Sequence, residues 1–83
     1  MRITVRLAEP YWQAVGKRNL EMDLVEGARL ADLLALLSRQ YPALSKELTE
    51  TYLIAFVGDS PVDPETALAD GNRVHLVWPI GGG

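Results

Sequence analysis

The chain has 83 residues, 48% of them hydrophobic, and carries a formal net charge of -3 from 11 acidic and 8 basic side chains. A single hydrophobic core serves domains of roughly 50 to 200 residues, so this length predicts one domain. The absence of cysteine excludes a disulfide framework, cysteine-ligated metal and a thiol nucleophile, and the acidic balance without a block of Lys or Arg argues against nucleic acid as a partner.

Met1 to Ala8 alternates Ile3, Val5 and Leu7 with Arg2, Thr4 and Arg6, a period of two that predicts a strand with one buried face. Because the chain starts on this pattern instead of a secretory leader, and holds no run of about 18 apolar residues, it reads as cytoplasmic with no membrane partner. Glu9 to Gly16 contains Pro10, Tyr11, Trp12 and Val15 and suits a short helical turn or a wide loop. Alternation resumes from Arg18 to Val25 with Leu20, Met22 and Leu24, so the second strand returns antiparallel to the first. After the turn at Glu26-Gly27, Leu30, Leu33, Leu34, Leu37 and Tyr41 fall at helical spacing, and Pro42 is expected to stop that helix.

Ser45 to Thr51 is polar and reads as a loop or a poorly formed helical turn. Tyr52 to Val57 is a β-branched and aromatic run closed by Gly58-Asp59, and Pro61-Val62 reads as a short edge strand, where a missing donor is tolerated. Asp63-Pro64 resembles a helix cap followed by proline at the first helical position, leading to an inward Leu68. Asp70-Gly71-Asn72 is a tight turn, and Arg73 to Trp78 forms the last strand, with Val74, Leu76 and Trp78 on one face and His75 and Val77 on the other. One main helix packed on a mixed sheet of four to five strands, with the first and last strands parallel at its centre, is a two-layer α+β domain of the β-grasp (ubiquitin-like) class. The reading divides the chain into a domain over 1–80 and a flexible glycine tail over 81–83.

Outside that tail, no catalytic constellation is legible. His75 is the only histidine and has no metal-ligand spacing around it, so no metal site is expected. Ser38, Ser45 and Ser60 lack triad partners, and Glu47 and Glu50 lie in a polar segment where solvation accounts for them. The terminus is different: Trp78-Pro79-Ile80-Gly81-Gly82-Gly83 ends in three glycines, and with glycine at about 7% of average composition such an end arises in roughly one chain in a few thousand. A trimmed or frayed end would look the same. Physically, however, a chain without Cβ atoms can lie extended in a narrow channel and carry a carboxylate to another protein's active site, while Pro79 stiffens the exit from the last strand.

Ile54-Ala55-Phe56-Val57-Gly58-Asp59, Leu68-Ala69-Asp70-Gly71-Asn72-Arg73-Val74 and the terminal hexapeptide together resemble the MoaD/ThiS family of ubiquitin-like sulfur carriers. The length and the proline before the tail resemble the small subunit of molybdopterin synthase more than the shorter thiazole-pathway carriers. Gly81 stands where the family usually has Ala or Ser, and Trp78 where many small subunits have Phe or Pro. The resemblance implies that Gly83 is adenylated by a ubiquitin-activating-type enzyme using ATP and Mg2+, then converted to a thiocarboxylate by a sulfur donor. It further implies delivery of that sulfur in the large subunit of molybdopterin synthase, in a heterotetramer. The chain itself would bind no cofactor and supply no acid or base.

The docking surface is expected on the sheet face away from the helix, where the alternation puts Ala55, His75 and Val77, next to Trp78, Pro79 and Ile80 and leading to Gly81, Gly82 and Gly83. Within the same fold, sulfur donation to thiamine thiazole or to tRNA, or ubiquitin-like conjugation to lysines, would begin from the same adenylate. A reading of another class is a plain β-grasp binding module with an inert tail.

Overall fold

A computed structural model of the chain describes residues 1–9, 11–50 and 54–77, with the backbone alone for residues 46, 47, 49 and 50. The elements are β1 (Arg2–Leu7), α1 (Tyr11–Val15), β2 (Asn19–Asp23), α2 (Leu30–Gln40), α3 (Pro42–Glu50), β3 (Ile54–Val57), β4 (Ser60–Val62) and β5 (Arg73–Val77). The five strands form one sheet in the order β2-β1-β5-β3-β4. β1 pairs antiparallel with β2 and parallel with β5, and β3 pairs antiparallel with both β5 and β4. The β-grasp topology with parallel first and last strands at its centre is therefore as the sequence predicts, with five strands.

One face of the sheet makes the core. Ile3, Val5 and Leu7 of β1, Leu20 and Met22 of β2, and Val74 and Leu76 of β5 are all buried, as the alternation requires, and they meet Leu30, Leu33 and Leu37 of α2. Leu24 and Leu34 pack at the margin of this cluster, half-buried. The start of α2 is tied down from two sides: Asp32 accepts the Arg29 amide at 2.8 Å, and Leu30 N–H donates to the Thr66 carbonyl at 3.0 Å. Leu68 is buried where its amide bonds the Ala28 carbonyl. Around Asp63 the side chain accepts from the Glu65 amide, forming a brief turn at the position where the sequence reads as a cap.

The sequence reading needs one correction here. α2 closes at Gln40, before Pro42, as the sequence predicts, but Pro42 then opens a second helix, α3, so the described part of the segment from Ser45 is helical instead of the loop or poorly formed turn expected of it. The physical reason lies at Tyr41, whose backbone (φ -128°, ψ 81°) is outside the helical region, which the residue before a proline avoids. Proline is then tolerated at the first helical position, where its missing N–H would have had no partner. Leu44 explains why the second helix docks. It is 0% exposed and joins the same core as α2, so the segment from Ser45 onward is held by burial and not by its own polar sequence. The stretch from Glu9 to Gly16 takes the first of its two expected forms, a short helical turn, α1, with Tyr11 buried, and it ends where Gly16 adopts φ +88°. Pro10 and residues 51–53, which include the predicted start of the third strand at Tyr52, lie outside the described residues.

Outside the core, Arg2 spans two strands: its Nε donates to Asp23 at 2.9 Å and its Nη1 to Glu21 at 3.1 Å. The Asp23 hydrogen bond first, then the charges of Asp23 and Glu21, raise the pKa of this exposed guanidinium. Exposed pairs of this kind add little stability, so the fold rests on the apolar cluster.

If α3 is a core element, Leu44→Ala should destabilise the domain by about 2 to 5 kcal/mol. A polar loop there would register a change within about 0.5 kcal/mol. Chemical denaturation of the two proteins side by side distinguishes these outcomes.

Candidate functional site

The helices cover one face of the sheet, and among the described residues no element covers the other. Its composition follows from register. In β5, Val74 and Leu76 point to the core, so Arg73, His75 and Val77 point outward. Antiparallel pairing then fixes β3: residues opposite one another share a face, and Ile54 pairs with Val77 while Phe56 pairs with His75. On the other side of β5, Thr4 lies opposite Arg73 and Arg6 opposite His75.

His75 and Val77 are thus on the outer face, half-buried, as predicted. Ala55 is not. It pairs with Leu76, is 3% exposed and belongs to the core, so it is withdrawn from the docking surface. Phe56 and Ile54, half-buried beside His75 and Val77, occupy the outer positions instead. The error has a simple origin: Ile54-Ala55-Phe56-Val57 is apolar throughout, so its alternation has no visible phase, and only the pairing with β5 supplies one. Trp78, Pro79, Ile80, Gly81, Gly82 and Gly83, which the sequence analysis also assigns to the site, lie outside the described residues.

The outer face is divided along its rows. Toward β3 it is apolar, with Ile54, Phe56 and Val77; toward β1 it is polar, with Thr4, Arg6 and Arg73. His75 sits between, with Arg6 on one flank and Phe56 on the other. Among the described residues no charged side chain is buried and no group of three His, Cys, Asp or Glu gathers as a metal site. What the described part of this face offers is an apolar patch beside a cationic one, the mixture that suits contact with another surface.

Comparison with known proteins now decides the family. The ThiS family model matches residues 5–83, nearly the whole chain. The chain belongs to the ThiS family. It is therefore one of the ubiquitin-like sulfur-carrier proteins of the ThiS/MoaD type. No curated protein matches the chain by sequence.

Among solved structures, SAMP1 from Haloferax volcanii is similar with a TM-score of 0.85 and 20% identity, covering 100% of both chains. A chain of the complex between subunits 1 and 2 of the molybdopterin-converting factor from Helicobacter pylori 26695 has a TM-score of 0.70 and 26% identity, again covering 100% of both. The BexX/CysO complex of Amycolatopsis orientalis contains a chain with a TM-score of 0.75 and 16% identity, covering 98% of this chain and 99% of that one. The likenesses to the first and third show the shared fold. Two of these three structures are protein complexes, each of the neighbour with its own partner. Among the described residues no helix is long and apolar enough to cross a membrane.

The two faces predict opposite responses to the same change. Ala55→Asp places a charge in the core and should cost about 3 kcal/mol or more. Val77→Asp, on the open face, should cost less than about 1 kcal/mol. Thermal melts of both variants check the facing of β3 and β5; equal losses would mean that the register is misassigned.

Proposed function

We propose that the chain is a sulfur carrier whose working group is the carboxylate of Gly83, and that it serves as the small subunit of a molybdopterin synthase in the cytoplasm. The observation that carries this reading is where β5 lies. The strand next to the terminus is the central one of the sheet and leads at Val77 directly into Trp78-Pro79-Ile80-Gly81-Gly82-Gly83. Six residues span at most about 20 Å, a reach suited to entering another protein's site while the domain stays docked on its surface. The 26% identity over the full length of both chains in the Helicobacter pylori molybdopterin-converting complex supports the particular role.

In this reading an adenylating enzyme of the ubiquitin-activating type binds ATP and Mg2+. A Gly83 carboxylate oxygen attacks the α-phosphorus, pyrophosphate leaves, and an acyl adenylate forms. A donor of sulfide-level sulfur then attacks the acyl carbon, AMP leaves, and a thiocarboxylate forms with no change of oxidation state. The large synthase subunit, in a heterotetramer with this chain, accepts that sulfur into its substrate. The chain contributes recognition and placement, and its partners contribute the charge stabilisation. Donation to thiamine thiazole or tRNA, or conjugation to lysine, would share the adenylate and differ only in the acceptor.

The test is incubation of the chain, a variant with one residue added after Gly83 and a variant lacking Gly83 with the adenylating enzyme, ATP and a sulfur donor, followed by intact mass. Conversion should raise the mass by the difference between a sulfur and an oxygen atom. Deleting Gly83 withdraws the carboxylate by about 3.5 Å. Misplacement by about 1 Å can cost around a hundredfold in rate, so both variants should fail while melting like the parent. Equal conversion of all three would refute Gly83 as the working group, and conversion of none would refute the carrier reading in favour of a module with an inert tail.

A further inference from the structure

The polar half of the outer face carries charge that the rest of the molecule leaves unused. Among the described residues the ion pairs are Arg2 with Glu21, Arg2 with Asp23, and Arg29 with Glu65. Arg6 and Arg73 are exposed and have no carboxylate within ion-pair distance among those residues, although acids outnumber bases 11 to 8 in the chain. Arg2 meanwhile engages Glu21 and Asp23 on β2, which keeps those two acids from neutralising the strands beside them.

The parallel pairing of β1 with β5 brings the two free arginines together. Arg73 lies opposite Thr4 and Arg6 opposite His75. Their Cα atoms are then separated by one strand spacing and two residues of rise, roughly 8 Å. That is comparable with the Debye length of about 8 Å at physiological ionic strength, so their fields add. Between them lies a shallow depression of about 660 Å³ lined by Thr4, Arg6, Asn19, Asp59, Arg73 and His75. Thr4 and Asn19 add neutral donors to two guanidiniums, against a single acid, Asp59. Guanidinium groups match carboxylates in geometry and can bind them bidentately. Two arginines on a chain of net charge -3 are too few to follow a nucleic-acid backbone. They are enough to receive a short acidic segment while Ile54, Phe56 and Val77 alongside take apolar contacts.

We propose that Arg6 and Arg73, with His75 beside them, form a cationic subsite that receives a carboxylate-bearing segment of the partner protein and orients the carrier on it. The inference rests on the carrier reading for the identity of the partner, but the subsite itself does not require it.

Two arms test it. First, the isotopically labelled protein is titrated with blocked hexaglutamate and, separately, with inorganic phosphate, followed by amide and guanidinium NMR shifts. The peptide should shift Thr4, Arg6, Asn19, Arg73 and His75 at low salt, with the shifts vanishing near 0.5 M salt, where the Debye length is only about 4 Å. R6A/R73A should weaken binding by about tenfold or more, and R39A on α2 should leave it unchanged. Shifts elsewhere, shifts that survive in R6A/R73A, or equal shifts from phosphate at the same concentration would overturn the proposal, the last by revealing a simple anion site.

Second, adenylate formation is measured against carrier concentration. R6A/R73A should raise KM by about tenfold at low salt, the loss falling on KM rather than kcat, and the gap should close in high salt. A KM indifferent to both salt and substitution would overturn the docking role. If the parent chain is not adenylated at all, the carrier reading falls, and the peptide arm decides the subsite by itself.

Discussion

The constraint on which the rest of the structure depends is the parallel pairing of β1 with β5. It is set by Thr4 N–H donating to the Asn72 carbonyl at 3.0 Å and Ala8 N–H to the Leu76 carbonyl at 3.1 Å, with Val5 opposite Val74 and Leu7 opposite Leu76 between them. Antiparallel strands can be joined by a tight turn, but parallel ones need a crossover. Everything from β2 to β4 is that crossover. α2 must pass across one face to return the chain, and it can do so because Leu30, Leu33 and Leu37 offer it an apolar stripe against the rows of β1 and β5. The same passage leaves the other face open, so the open face and the central place of the last strand have one cause.

Legibility in the sequence followed the visibility of a period. In β1, β2 and β5 apolar residues alternate with charged or polar ones, and each strand and its facing could be read directly. α2 was legible for the same reason at its own period. α3 was not, because only Leu44 and Leu48 mark an apolar side and a proline heads the segment; its helix is decided by the burial of Leu44 against α2, a tertiary contact that no local pattern contains. In β3 the period existed but was hidden by uniform apolarity, and the phase came from β5. Such errors mark where long-range pairing, not local preference, chooses the structure.

The candidate site divides along the same line. Gly83 is legible in one dimension, because a carboxylate at the end of a glycine run needs no fold to be noticed. The outer face of the sheet needs two. Arg6 on its own is an ordinary outward strand residue, and Arg73 likewise; they become neighbours only through a pairing between residues almost seventy positions apart. Phe56 becomes a surface residue, and Ala55 a core one, by the same route. No inspection of either segment alone contains this information, whereas the sheet order with one known facing is sufficient to derive it.

A carrier of the kind proposed must solve a mechanical problem. The reacting carboxylate stands up to about 20 Å from the last described strand residue, so a small rotation of the docked domain would displace it by more than the ångström that catalysis tolerates. A patch of apolar contacts alone is a poor guard against rotation, since apolar attraction is non-directional. Charged contacts have defined partners and fix register. On this sheet the apolar positions Ile54, Phe56 and Val77 and the cationic positions Arg6 and Arg73 lie on opposite sides of His75, so contacts to both halves would hold the domain at two separated points. The line between those points crosses β5, the strand that leads to the glycines. Docking through both halves would therefore constrain the direction in which the terminal residues leave, which is the quantity that a carrier acting through its terminus must control.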